Sequence, residues 1–129
     1  EYIALAEHLA TPLPDNLSFA AGATLGIPAM TAWCCLYCDG PIAGQTVLVT
    51  GGAGAVGHYA VQLAKWGGAR VIATVSSAAK AEQARLAGAD LVINYRTEDV
   101  VDKAMAFTAQ RGVERVVDVD FGGNVATTL

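Results

Sequence analysis

Three glycines, at positions 52, 54 and 57, follow a short apolar run at residues 47–49 and precede a helical pattern. This Gly-x-Gly-x-x-Gly spacing between a strand and a helix is typical of a turn that binds the pyrophosphate of a dinucleotide. The first glycine allows a tight turn, the second lets the backbone approach the phosphates, and the third lets the helix pack against the strand. The amides of residues 54–56 would donate to phosphate oxygens from the positive end of the helix dipole. We predict a cofactor site made by six successive residues: Gly52, Ala53, Gly54, Ala55, Val56 and Gly57.

The residues after the second predicted strand bear on which dinucleotide is bound. In NAD-binding versions, an Asp or Glu about twenty residues beyond the glycines accepts hydrogen bonds from the ribose 2′-hydroxyl. Here that position falls at Ser76 and Ser77, with Lys80 in the first helical turn that follows. Hydroxyls and a cation suit a 2′-phosphate, which a carboxylate would repel. The sequence therefore favours NADPH over NADH, although a solvated helix lysine is an alternative reading of Lys80.

The three cysteines, Cys34, Cys35 and Cys38, are clustered, and a Cys-x-x-Cys spacing occurs in zinc and redox sites. On a helix, however, these side chains would simply be neighbours one turn apart and would act as small apolar fillers. The chain has no second cysteine pair, and His8 and His58 lie far away in sequence. We therefore predict no metal site and reduced thiols, which are typical of a cytoplasmic protein.

Composition limits the classes of function. Among the 129 residues, 53% are hydrophobic and 16% are charged, which fits one α/β domain and argues against disorder. The net charge of −4 provides no basic surface for nucleic acid. We expect no membrane span, since the most apolar stretch, residues 19–37, is interrupted by Pro28 and is rich in small residues. The chain opens with Glu1 and has no secretory leader pattern, so it resembles an internal piece of a longer protein.

From residue 46 onward, strand and helix patterns alternate. The predicted strands are Val47–Val49, Arg70–Val75, Leu91–Tyr95 and Val113–Val119. Right-handed crossovers between them predict an α/β fold with a doubly wound (Rossmann) parallel sheet of strand order 3-2-1-4. The fourth strand would otherwise be an exposed apolar edge, so we expect further strands beyond residue 129.

Helix-capping and helix-breaking residues predict the remaining elements. We expect a short strand at Tyr2–Leu5, a helix capped by Ser18 that Pro28 breaks or restarts, and a helix from Met30 to Tyr37. Three further predictions concern the second half of the chain: a helix over 78–87 capped by Ser76 or Ser77, a helix capped by Thr97 and ended by Gly112, and a turn at Gly122–Gly123.

Three segments closely resemble the medium-chain dehydrogenase/reductase superfamily, in the branch of the zinc-free quinone oxidoreductases, or zeta-crystallins. They read PLPDNLSF at 12–19, GIPAMTAW at 26–33 and GQTVLV at 44–49, and GHYAVQLAK at 57–65, AGAD at 87–90 and VINYR at 92–96 extend the resemblance. The pattern Thr50-Gly51-x-x-Gly54-x-x-Gly57 also fits extended short-chain dehydrogenases. None of the four tyrosines, however, is followed by the lysine of their Tyr-x-x-x-Lys motif.

The resemblance implies a GroES-like catalytic domain ending in residues 1–17 and an NADP-binding domain over residues 18–129, incomplete at its C-terminus. It implies that residues 53–56 hold the pyrophosphate and that Ser76, Lys80 and Tyr95 surround the adenosine 2′-phosphate. Gly122 would touch the cofactor after the fourth strand, and Thr31 would lie near the nicotinamide. Tyr95 as an edge-of-sheet aromatic and Thr31 as a helix-cap hydroxyl are the alternatives, and the turn around Gly122 is longer than the family usually has.

The implied activity is hydride transfer from NADPH to a quinone or an α,β-unsaturated carbonyl, with substrate contacts largely outside this chain and hence no catalytic residue assigned here. An enoyl reductase, standalone or within a polyketide or fatty acid synthase, is an alternative. Alternatives of another class are a non-enzymatic NADPH sensor and an RNA-associated crystallin-like protein. The family also implies a homodimer or homotetramer.

Overall fold

A computed structural model describes residues 3–128 of the chain. The strands of this part are β1 (Thr46–Val49), β2 (Arg70–Val75), β3 (Leu91–Asn94) and β4 (Arg115–Val117). Its α-helices are α1 (Phe19–Ala23), α2 (Met30–Tyr37), α3 (Ala55–Trp66), α4 (Ala78–Leu86), α5 (Val100–Phe107) and α6 (Phe121–Thr128). The strands are parallel and lie in the order β3-β2-β1-β4, which confirms the predicted doubly wound sheet.

Helices cover both faces of the sheet. Val47 and Val49 of β1 belong to a core that is closed by α2, α3 and α4, whereas Leu48 faces the smaller core beneath α5. Because β1 is buried on both faces, its sequence is a continuous apolar run rather than an alternating one. β1 pairs with β2 on one side and β4 on the other, so the carboxyl ends of these strands meet at one edge of the sheet.

The N-terminal expectations are met in part. Ile3–Leu5 form no strand, since no neighbouring strand pairs with them in the described part, and Tyr2 lies outside the described residues. A 3₁₀-helix follows at Glu7–Leu9, and Ser18 caps α1 as predicted by accepting a hydrogen bond from Ala21 N–H. Pro28 does not interrupt the helical path, because the chain widens into a π-helix at Leu25–Ala29, which tolerates the missing proline N–H and leads into α2.

Two cap predictions for α5 are wrong. Asp99, not Thr97, caps its N-terminus, because the Asp99 carboxylate accepts a hydrogen bond from Asp102 N–H at 2.9 Å. The helix ends at Phe107 and not at Gly112, since Thr108 Oγ1 donates back to the carbonyl of Ala104. The next two residues, 109 and 110, then take left-handed backbone conformations that terminate the helix before any glycine is reached.

The prediction of a turn at Gly122–Gly123 is also wrong, since both glycines are helical and lie at the start of α6. The backbone carbonyl of Asp120 accepts hydrogen bonds from the N–H groups of Gly123 and Asn124, which starts the helix directly after β4. β3 and β4 are shorter than predicted, and of the two serines proposed as the cap of α4, Ser77 makes the capping hydrogen bond.

Asp90, directly before β3, is hydrogen-bonded to α3 and β2. Its carboxylate accepts hydrogen bonds from Lys65 Nζ of α3 at 2.8 Å and from Val71 N–H of β2 at 2.7 Å. Burial raises the pKa of Asp90, but these hydrogen bonds and the charges of Lys65 and Arg70 outweigh burial and hold the pKa below its ordinary value.

We expect Asp90→Asn to flatten the dependence of stability on acid pH. Because the pKa of Asp90 is lower in the folded chain than in the unfolded chain, its stabilisation is present above the unfolded value, about pH 4, and is lost as pH falls below it. Urea denaturation from about pH 6 to pH 3 should therefore show a smaller fall in the free energy of unfolding for the variant. Asp15→Asn, at an exposed position, is the control. Parallel pH profiles for the wild type and Asp90→Asn would contradict the prediction.

Candidate functional site

The glycine turn, residues 51–57, begins at the carboxyl end of β1. Gly51, which was not among the predicted cofactor residues, has φ +61°, a left-handed conformation that favours glycine. Gly51 N–H donates to Thr74 Oγ1 at 3.2 Å, and Gly52 N–H donates to the Thr74 carbonyl at 2.9 Å. These two bonds fix the turn against β2.

The turn leads directly into α3, and the first backbone amides of this helix have no acceptor within the helix. Gly54 is the N-cap residue and supplies no side-chain acceptor, and the first intrahelical bond of the helix is the one from His58 N–H to the Gly54 carbonyl. The amides of residues 55–57 therefore precede the helical ladder and are suited to bind an anion. The predicted donation from the Gly54 amide is wrong, because that N–H donates to the Gly51 carbonyl at 2.7 Å. This geometry fits a pyrophosphate at the predicted residues.

Side chains at two of the glycines would not fit. A Cβ at Gly57 would overlap the carbonyl oxygen of Gly51 and lie 2.8 Å from its carbonyl carbon. A Cβ at Gly52 would lie 2.7 Å from the Cβ of Ala73 on β2. The close approach of helix to turn, and of turn to strand, thus depends on these two glycines.

Ser76 and Lys80 come together at the carboxyl end of β2. Lys80 Nζ donates to Ser76 Oγ at 3.1 Å, and the lysine side chain is exposed. Ser77 Oγ instead accepts from Lys80 N–H at 3.4 Å as the cap of α4. The structure therefore groups a hydroxyl and a cation where the acid of an NAD-binding protein would stand, and no carboxylate takes part in these contacts.

A cavity of about 540 Å³ opens at the carboxyl edge of the sheet, on the face covered by α5. Tyr95, which is 52% exposed, lines it together with Thr74 at the end of β2. Thr50 and Gly51, directly after β1, and Asn124 on α6 also line it. Among these residues, the sequence analysis had assigned only Tyr95 to the cofactor, although the carboxyl ends of parallel strands are where ligands bind in this kind of sheet.

A second cavity, of about 760 Å³, lies in front of Gly54 and Ala55. His58 and Tyr59 of α3 line it, and Tyr59 forms a 2.8 Å hydrogen bond to Thr24 Oγ1 across the cavity wall. Because the Thr24 hydroxyl donates to the Ala21 carbonyl, Tyr59 is the donor in this bond. The bond ties α3 to the segment that precedes α2.

Neither Thr31 nor Gly122 lines the two cavities beside the glycine turn. Thr31 lines a third cavity, of about 570 Å³, with Ile27, Met30 and Cys34. Gly122 lies exposed in the first turn of α6. The assignment of Thr31 and Gly122 to the cofactor stays a prediction. The proposed contact of Tyr95 with the 2′-phosphate also stays a prediction.

Asp118, directly after β4, is a polar residue of the site that the sequence analysis missed. Its Oδ1 accepts hydrogen bonds from Thr50 Oγ1 at 2.8 Å, Asp120 N–H at 2.8 Å and Asn124 Nδ2 at 3.1 Å. Burial raises the pKa of Asp118, but the hydrogen bonds that it accepts outweigh burial and hold the pKa below its ordinary value. Asp118 is therefore an ionised carboxylate at neutral pH.

Cys34 and Cys35 lie on α2 and Cys38 caps its C-terminus, as three free thiols. The prediction that they are apolar fillers is wrong for Cys34 and Cys38, which are exposed, whereas Cys35 is half-buried. Among residues 3–128, no three His, Cys, Asp or Glu side chains gather in a way that could hold a metal ion. Within the same part of the chain, no helix combines the length and the apolar character needed to cross a bilayer.

Comparisons with known proteins agree with this geometry. The family described as "Zinc-binding dehydrogenase" matches residues 55–125. Human quinone oxidoreductase is 31% identical over 100% of this chain and 40% of its own length. A 2-methylene-furan-3-one reductase of Solanum lycopersicum is 40% identical over 97% of this chain and 34% of its own. Escherichia coli quinone oxidoreductase, solved in complex with NADPH, superposes with a TM-score of 0.85 at 34% identity, covering 92% of this chain and 36% of that one. The chain thus spans well under half the length of these relatives.

Proposed function

The chain belongs to the medium-chain dehydrogenase/reductase superfamily, and we propose that it is the NADPH-binding part of an oxidoreductase that reduces a quinone or an α,β-unsaturated carbonyl compound. The names of the human and Solanum lycopersicum relatives support these two substrate classes. The NADPH complex of the Escherichia coli enzyme supports the choice of cofactor. The division into residues 1–17 and 18–129, assembly as a homodimer or homotetramer, and a cytoplasmic location belong to the same proposal.

The observation that carries the proposal is the pairing of Ser76 with Lys80 at the end of β2, 3.1 Å apart. A carboxylate at this place would select the 2′-hydroxyl of NAD, whereas a hydroxyl and an ammonium group favour a 2′-phosphate. The uncapped N-terminus of α3 lies at the end of the adjacent strand, β1, where the pyrophosphate of the same dinucleotide would bind.

Bound NADPH supplies the hydride, and the residues of this chain bind and orient the dinucleotide. The amides at the start of α3 would hold the pyrophosphate, and Ser76 and Lys80 would hold the 2′-phosphate. Together these contacts fix one end of the cofactor so that its reactive ring is directed toward the β4 side of the sheet. No residue of the described part is assigned to proton transfer.

We expect Lys80→Ala to remove most of the preference for NADPH over NADH. Loss of one charge-assisted contact to the 2′-phosphate is worth about 1–3 kcal/mol, or roughly a 5- to 150-fold rise in the Kd for NADPH. The Kd for NADH, which lacks this phosphate, should change by less than about twofold. The measurement is titration of both nucleotides against the full-length protein, followed by nicotinamide fluorescence.

Arg85→Ala is the matched control, because it removes one positive charge from another exposed position of α4 and otherwise loses only the exposed ion pair with Glu82. Equal loss of NADPH affinity in both variants would indicate a general charge effect and would exclude the 2′-phosphate assignment. Turnover of quinones and enones with NADPH then separates the proposed enzyme from a non-enzymatic NADPH-binding protein. Preference for acyl thioesters would instead favour the enoyl reductase alternative.

A further inference from the structure

The hydrogen bonds to Asp118 join the two strands that flank the reversal of strand order in the sheet. Thr50 directly follows β1 and immediately precedes the glycine turn, while Asp118 directly follows β4. The strands are also joined by the bond from Thr50 N–H to the Val117 carbonyl at 3.0 Å. The position of the glycine turn is therefore coupled to the position of the segment that begins α6.

The environment of Asp118 lowers the stability of the folded chain, which a purely structural role does not explain. Its second oxygen, Oδ2, is buried and has no hydrogen-bond partner among the described residues. None of the ion pairs in the described part of the chain includes Asp118. An ionised oxygen buried without a donor or a cation destabilises the folded state, and such local costs are concentrated at functional sites.

The strand order tells which part of a bound dinucleotide lies near this carboxylate. The 2′-phosphate residues lie at the end of β2 and the pyrophosphate residues at the end of β1, so the adenosine half covers the β2 side of the reversal. A dinucleotide crosses this crevice, and its second half lies on the other side, where β4 ends. Thr50 and Asn124, which both donate to Asp118 Oδ1, line the 540 Å³ cavity at this place.

We propose that Asp118 is a positioning residue for the nicotinamide half of the cofactor, acting through Thr50 and the start of α6, a proposal that rests on the function proposed above. Its Oδ1 accepts hydrogen bonds from Thr50 after β1, from Asp120 after β4 and from Asn124 on α6. These bonds fix the positions of Thr50 and Asn124, which line the cavity, relative to each other. The adenosine half would be held by Ser76 and Lys80, and the hydrogen bonds of these two residues do not include Asp118.

The test uses Asp118→Asn in the full-length protein with two probes, NADPH and 2′,5′-ADP. Asparagine keeps the shape and one acceptor oxygen but makes the three hydrogen bonds neutral and therefore weaker. We expect the Kd for NADPH to rise about tenfold and the Kd for 2′,5′-ADP, which contains only the adenosine half, to change by less than about twofold. The KM for NADPH should rise with a smaller change in kcat. Asp102→Asn, at an exposed position on α5, is the matched control.

Thr50 gives a second, independent variant pair in case Asp118→Asn folds poorly. Thr50→Val removes the hydroxyl that donates to Asp118 and should weaken NADPH binding selectively, whereas Thr50→Ser keeps the hydroxyl and should restore it. An unchanged Kd for NADPH, or equal weakening of both probes, overturns the proposal for Asp118. If the wild-type protein binds neither probe, the proposed function itself fails, which is a different result.

Discussion

Gly57→Ala is expected to abolish measurable NADPH binding and to lower the free energy of unfolding by about 3 kcal/mol. The added methyl group would occupy the position of the Gly51 carbonyl oxygen and lie 2.8 Å from its carbon and 3.0 Å from Gly52 Cα. These neighbours are backbone atoms, so no side-chain rotation relieves the overlap. Gly51 already has a left-handed backbone, and Gly52 is bonded to β2, so neither can move without breaking the turn.

Urea denaturation and NADPH titration measure the two parts of this prediction. Gly26→Ala is the matched control, because a Cβ built at Gly26 meets no atom within 4 Å and its backbone is not left-handed. The control should keep wild-type stability to within about 1 kcal/mol and wild-type NADPH affinity. Wild-type NADPH binding by Gly57→Ala would show that α3 does not depend on this close approach.

The features that the sequence predicted correctly are those that local patterns determine. Residues 47–49 of β1 and 71–73 of β2 are continuous apolar runs, because each strand is covered on both faces, and this pattern separates them from the amphipathic helices. The serine caps of α1 and α4 act within three residues of sequence, so they too are visible in the pattern. The strand order then follows from the handedness of the crossovers.

The errors occur where two local patterns compete or where the partner is distant. Thr97 and Asp99 are both good caps, and only the carboxylate of Asp99 reaches the amide of Asp102. Gly122 and Gly123 have weak helix propensity, yet hydrogen bonds to Asp120 start a helix through them. Tertiary context overrides propensity in both places.

The site was predicted less completely than the fold for the same reason. The phosphate-binding residues form short sequence motifs, whereas Thr50 and Asp118 are 68 residues apart and meet only because β1 pairs with β4. Thr31 was placed near the nicotinamide by resemblance alone, and the structure puts it in a different cavity from Gly54. The sequence pattern identifies a local motif, but only the pairing of the strands shows which side chains from distant parts of the sequence lie beside that motif.

We expect Gly52→Ala to lower the free energy of unfolding by about 2 kcal/mol and Ala73→Gly to compensate for much of this loss. The new methyl group at position 52 would lie 2.7 Å from the Cβ of Ala73, which is fully buried on β2. Removing that Cβ leaves Val61 Cγ2, at 3.6 Å, as the nearest side-chain atom, an ordinary contact. Ala73→Gly alone should cost about 1 kcal/mol, since glycine weakens a strand.

A double-mutant cycle measures this compensation, with denaturation and NADPH titration as its two readouts. The double variant should be more stable than the sum of the single changes predicts by at least about 1 kcal/mol, and it should recover NADPH affinity lost in Gly52→Ala. Ala32→Gly replaces Ala73→Gly in the control cycle, because Ala32 is equally buried but lies on α2. Gly52→Ala and Ala32→Gly should add to within about 0.5 kcal/mol. Additive effects in both cycles would mean that the glycine turn does not pack against Ala73. Such a result would exclude the steric role proposed for Gly52.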